Sequence, residues 1–170
     1  PALPILIAAS VMLSLAMGLR QSLGLFMPPL TKDIGITVSD LHAATTFFES
    51  LGLEVEGRAI IEGDFIDTVL GMSGARSEMV MLRPPDDGTR LELSTFLRPD
   101  PLPIEPPGPV NALGLRNVAF EVHDLRAVVE RLAGDGYGLV GGIGEYEGSW
   151  LMAYVLGPEG IIVSLAQPIG

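Results

Sequence analysis

The sequence predicts an α+β fold made of two tandem βαβββ units, preceded by an apolar N-terminal helix. Three observations predict it. A strand, an acidic cap, a helix and a terminating glycine occur twice in that order. Asp40 and Asp124, Leu41 and Leu125, and Gly52 and Gly136 are each 84 residues apart. The closing strands repeat as well, Gly88 with Gly160 and Leu93 with Leu165, each 72 apart, so the second copy has a shorter middle. Between the copies, residues 98–112 carry prolines at 99, 101, 103, 106, 107 and 109, a density that cannot join a sheet ladder and favours a stiff connector. The expected domains are therefore an apolar helix at 1–30, a first unit at 33–97, a linker at 98–112 and a second unit at 113–168.

The elements follow in order. Residues 4–19 (PILIAASVMLSLAMGL) hold no charge, and after Arg20 the apolar pattern resumes through 21–30. That length borders the roughly 20 residues needed to span a bilayer. Its small residues suit packing against other membrane helices. A signal peptide with a loose cleavage site at Ser14-Leu15-Ala16, or a partner-bound apolar helix, are the competing readings. The run is followed by Arg20 and Lys32, which weakly favours a cytoplasmic domain anchored through this segment, whereas a first spanning helix of the opposite orientation would deliver the body to the outside. In the body, 34–38 (IGITV) is a β-branched strand. Ser39-Asp40 supplies a cap, and 41–51 (LHAATTFFESL) has helical spacing with Leu41, Ala44, Phe47, Phe48 and Leu51 on one face. Gly52 ends the helix and 53–55 starts the next strand. Further strands fall at 78–82 and 90–96, the latter entered through the turn Asp86-Asp87-Gly88. The second copy repeats a strand at 118–122, the cap Asp124, a helix at 125–132, the stop Gly136, and strands at 150–156 and 160–166.

Composition excludes several function classes. With 170 residues there is room for one domain and a tail. A formal net charge of −11, with no Lys/Arg cluster to offset it, repels phosphate backbones, so no nucleic-acid partner is expected. The absence of cysteine removes disulfides, thiolate metal sites and Cys nucleophiles. The mean hydropathy of +0.42 reflects mainly the first thirty residues.

Two resemblances extend this reading. The stretch 17–35 (MGLRQSLGLFMPPLTKDIG), through Gly18, Arg20, Gly24, Phe26, Pro28 and Pro29, resembles the first transmembrane helix of major facilitator superfamily transporters. One helix transports nothing, so a fusion remnant and a genuine anchor stand as alternatives. In the body, 33–55, 90–96 (RLELSTF), 113–125 (LGLRNVAFEVHDL) and 156–167 (LGPEGIIVSLAQ) resemble the vicinal oxygen chelate superfamily, which includes glyoxalase I, bleomycin-resistance proteins and extradiol dioxygenases. The resemblance implies two units curled into a half-open barrel, with a divalent metal in the cleft. It implies ligands from the first and last strand of each unit, at Asp33, Glu92, Asn117 and Ser164. The 84 and 72 spacings relate Asp33 to Asn117 and Glu92 to Ser164.

The chemistry of that set is weak. A catalytic divalent ion needs three or four suitable donors and an open position for substrate oxygen. Two carboxylates, an amide and a hydroxyl, without imidazole, suit at most a weakly held Mg²⁺ or Mn²⁺. Glu92, between Leu91 and Leu93, is expected to face the cleft and to act as a base beside a substrate carbonyl; on periodicity alone it is a solvated strand residue. His42 and His123 miss the ligand positions and read as surface or capping groups. The loop 145–150 (EYEGSW) reads as a cleft lip, with Tyr146, Trp150 and Tyr154 as substrate-binding candidates. Gly141-Gly142-Ile143-Gly144 lacks the context of a phosphate loop and reads as a turn. Glu62, Asp64 and Asp67 read as a solvated acidic edge. The expected function is a glyoxalase-like lyase or isomerase acting on a small carbonyl compound, with a non-catalytic small-molecule binder of the bleomycin-resistance type as the alternative. A homodimer is an expected assembly.

Overall fold

The computed structural model describes residues 33–86, 88–102 and 108–170. The apolar stretch 1–30, with its expected helix and membrane anchor, lies outside the described residues. No helix among the described residues is long and apolar enough to cross a membrane.

The first unit runs β1 (Asp33–Thr37), α1 (Leu41–Ser50), β2 (Glu54–Glu62), α2 (Asp64–Leu70), β3 (Arg76–Arg83) and β4 (Arg90–Arg98). The second runs β5 (Asn117–Glu121), α3 (Leu125–Gly134), β6 (Gly144–Tyr146), β7 (Trp150–Leu156) and β8 (Ile162–Pro168). Each forms a four-stranded sheet, ordered β1-β4-β3-β2 in the first and β5-β8-β7-β6 in the second. The order is the same once the copies are aligned. Within the second sheet β5 runs parallel to β8, and β7 antiparallel to both β6 and β8.

The duplication extends to single hydrogen bonds. Asp40 Oδ1 accepts from the Ala43 N–H at 2.9 Å, and Asp124 Oδ1 accepts from Ala127 at 3.0 Å. Each aspartate satisfies an N–H group that the first helical turn leaves without a partner. Val38 N–H donates to Ser94 O, and Val122 N–H to Ala166 O, both at 2.8 Å. Both helices end at a glycine with positive φ, 99° at Gly52 and 92° at Gly136, a conformation that costs an L side chain dearly.

Strand pleating divides each sheet into two faces. Val80, Leu82, Leu91 and Leu93 point to one side of the first sheet, all 2% exposed or less, beneath Leu41, Ala44, Phe47 and Phe48 of α1. In the second, Ala153, Val155, Val163 and Leu165 lie beneath Leu125, Val128 and Leu132 of α3. These two sets form one continuous core. Phe47 meets Tyr137 edge-on at 4.7 Å, and Phe48 meets Phe120 at 6.2 Å. Arg131 donates from Nε and Nη2 to Ser50 O. Glu159, in a turn before β8, accepts from the Ser39 and Asp40 N–H groups at 2.8–2.9 Å.

The two expected units are present as two four-stranded sheets, consistent with the expected α+β fold. The sheets share a core on their helix-bearing faces, while the opposite, open face of each is turned from that core. Phe47 and Phe48 of α1 are fully buried, and Tyr137 and Phe120 of the second unit pack against them. Two further elements were not expected. Helix α2 buries no residue, and β6 is exposed throughout.

Candidate functional site

Strand β4 is interior to its sheet, and its burial alternates: Leu91, Leu93 and Thr95 are buried, while Arg90, Glu92, Ser94 and Phe96 are half-buried on the open face. Glu92 thus sits on a strand fixed from behind by two leucines in the core. Its neighbours on that face follow from register. Met81 lies opposite Glu92 and Gly57 opposite Met81, so one row across the sheet reads Gly57–Met81–Glu92. The next row places Met79 against Ser94, with Ala59 beyond. Thr37 Oγ1 and Ser94 Oγ lie 3.3 Å apart, closing that side with hydroxyls. A side-chain carbon built on Gly57 would meet nothing within 4 Å, so the row leaves space above Met81. The rows at its centre set the Glu92 carboxylate and the Thr37 and Ser94 hydroxyls beside an apolar floor of Met79 and Met81.

The open face of the second sheet carries the other candidates. Tyr154 lies opposite Ser164, Trp150 opposite Pro168 and Tyr146 opposite Trp150, so all three aromatic residues share the face of Ser164. Ser164 is 5% exposed, whereas Tyr146, Met152, Tyr154 and Leu156 are exposed. Asn117 opens β5 and is exposed. Asp33 opens β1, and its side chain lies outside the described residues.

Of the expected metal positions, Glu92 lies on the open face of the first sheet, and Asn117 and Ser164 on that of the second. No group of three or more His, Cys, Asp or Glu side chains that could hold a metal ion occurs among the described residues. His42 and His123 are exposed, as expected of surface groups.

The acidic edge proves to be structural. Asp67 accepts from Gly74 N–H at 2.7 Å and Ala75 N–H at 2.8 Å, closing the loop after α2. Glu62 faces Arg76 at 3.3 Å and Arg98 at 3.6 Å. The sequence reading missed another pair. A bulge between Val55 and Gly57 leaves Glu56 outside the β2–β3 register, and Glu56 engages Arg90 two strands away, Nε to Oε2 at 2.9 Å and Nη2 to Oε1 at 3.1 Å. No sequence signal announces it, because it depends on the bulge.

Comparison with known proteins matches residues 32–154 to the family model described as Glyoxalase/Bleomycin resistance protein/Dioxygenase superfamily. A glyoxalase family protein of Bacillus cereus is 39% identical, with a TM-score of 0.80 over 85% of this chain and 97% of that one. The trypanothione-dependent glyoxalase I of Leishmania major superposes with a TM-score of 0.56 at 21% identity, over 82% of this chain and 87% of that one. A glyoxalase/dioxygenase of Nostoc punctiforme gives 0.56 at 18% identity, over 84% and 95%. The last two likenesses bear on the fold alone. No curated protein matches the sequence. The family match leaves residues 1–31 outside it, so nothing in the comparisons supports a transporter helix there.

Proposed function

The chain belongs to the glyoxalase/bleomycin resistance protein/dioxygenase superfamily, and from that premise we propose that it is a glyoxalase-like lyase or isomerase acting on a small carbonyl compound, with Glu92 as its base. The observation that carries the reading is the position of Glu92: half-buried, on an interior strand anchored by Leu91 and Leu93, above a floor of Met79 and Met81. A carboxylate held there reaches a carbon-bound proton next to a carbonyl and can return it to a neighbouring atom. General acid–base catalysis of this kind is worth about 10²–10⁴ in rate. The Thr37 and Ser94 hydroxyls offer donors to substrate oxygen. No step is routed through a metal.

The test is exchange, in D₂O, of the proton next to the carbonyl in a panel of small carbonyl compounds, followed by NMR. Exchange that falls by about 10² or more in E92Q supports the assignment. Exchange unchanged in E92Q refutes it. The second reading, a non-catalytic binder of the bleomycin-resistance type, is supported by the apolar floor of Met79 and Met81. It predicts tight ligand binding, no exchange, and affinity insensitive to E92Q.

The proposed assembly is a homodimer. The open face of the second sheet leaves Met152, Tyr154 and Leu156 39–45% exposed along one strand. A second copy that laid its own open face there would cover the apolar surface. Sedimentation equilibrium reads the outcome directly: a monomer at micromolar concentration rules the assembly out.

A further inference from the structure

We propose that Arg90 is the anchor for a carboxylate group on the ligand, and that Glu56 occupies this anchor in the free protein as an internal substitute for that carboxylate. The inference takes its location from the reading of the Glu92 face as the ligand face, and it adds a chemical class, a small planar carboxylate.

The argument begins with strand order. Strand β3 lies between β2 and β4, so Glu56 and Arg90 sit on strands about 9–10 Å apart. Their side chains meet only by crossing over β3. Arg90 has the parity of Glu92, so the crossing runs over the open face. The bulge at Glu56 is what permits it. A bulge bends its strand and re-aims one side chain, a device over-represented beside functional sites.

The contact has the form of a recognition site. Nε and Nη2 of Arg90 engage the two oxygens of one carboxylate, the side-on fork through which arginine reads carboxylates. The guanidinium-bearing side chain is 27% exposed and the Glu56 side chain 37%, so the pair is partly screened. A pair this exposed contributes little to stability, equivalent to a factor of about two to five, and is readily exchanged for another carboxylate. Arg90 lies two residues from Glu92 on the same face, so a ligand held by its carboxylate there extends its next carbons along the row Gly57–Met81–Glu92. The neighbouring Arg83 is engaged by Glu54 at 2.7 Å. The second copy has no such site: the position related to Arg90 by the 72-residue spacing is Ile162, which is buried.

A purely structural salt bridge and a substitute ligand differ in the sign of one effect. If Glu56 merely pins the bulge, removing its charge leaves ligand affinity unchanged or lowers it. If it competes for Arg90, removing its charge raises affinity. The experiment is calorimetric titration of the full chain with pyruvate, pyruvamide and inorganic phosphate, for the parent, E56Q, R90M, R90K and E92Q. The expected result is that pyruvate binds more tightly than pyruvamide or phosphate. E56Q should bind pyruvate about two- to fivefold more tightly than the parent. R90M should lose about tenfold or more, and R90K, which keeps the charge without the fork, should lose part of that. E92Q should retain pyruvate binding, which separates this inference from the role of Glu92 as a base. Unchanged or weaker binding in E56Q, pyruvate binding retained in R90M, or a preference for phosphate or pyruvamide overturns it. Should R90M fail to fold, the sign of the E56Q effect decides alone.

Discussion

Gly157→Ala tests the shared core more sharply than any deletion. Gly157 is buried, and its φ of −86° suits any residue, so the substitution introduces no backbone strain. What it introduces is a methyl group 2.7 Å from Cε1 and Cζ of Phe47 and 3.2 Å from Cδ1. Phe47 has little room to retreat, being fully buried between Phe48 at 5.1 Å and Tyr137 at 4.7 Å. Overpacking of this kind costs about 1–3 kcal/mol. Alanine returns about 0.4–1 kcal/mol by restricting the unfolded chain. The net expectation is a loss of about 1–2 kcal/mol, read as a lower midpoint in urea with an unchanged slope. Phe47→Leu removes the obstructing ring, so in that background the cost of Gly157→Ala should fall below about 0.5 kcal/mol, a coupling that a double-mutant cycle isolates. A neutral or stabilising Gly157→Ala in the parent would refute the packing of the first unit's helix against the second unit.

Other outcomes follow from the same contacts. Asp40→Ala and Asp124→Ala each remove one helix cap and should each cost about 1 kcal/mol, measured by thermal unfolding, with similar values because the two caps are copies. Glu159→Ala removes a carboxylate that accepts from two N–H groups at the start of α1; a loss of about 1 kcal/mol in chemical denaturation is expected, modest because the residue is exposed. Leu93→Ala, at a fully buried position directly behind Glu92, should cost about 2–5 kcal/mol and bring down the chemistry of the open face with it.

The duplicated fold was legible because its punctuation is local. The aspartate caps, the left-handed glycines and the apolar stripe of α1 each state their conformation within a few residues. Their equal spacing then relates the copies. The packing of the two units was not legible, since it is decided by Phe47 meeting Tyr137 and Gly157, more than 80 residues away. Helix α2 escaped notice because it is seven residues long and its apolar Phe65 and Val69 are exposed rather than turned to a core. Strand β2 was seen only at its start, because Gly57 and Arg58 interrupt the pattern at the bulge. Of the candidate site, the orientation of Glu92 followed from simple alternation between two leucines. The Glu56–Arg90 fork did not, as it joins two strands that are not neighbours through a residue displaced from register.

The Glu159 clasp has a consequence for how the molecule comes to exist on the ribosome. The start of α1 is completed by a carboxylate encoded some 120 residues later, and the rings on its outer side wait for Phe120 and Tyr137. During synthesis the first half must linger with a frayed helix and bare phenylalanines until nearly the last strand emerges. In the folded chain the second half supplies both the clasp at the start of α1 and the rings that cover its outer side.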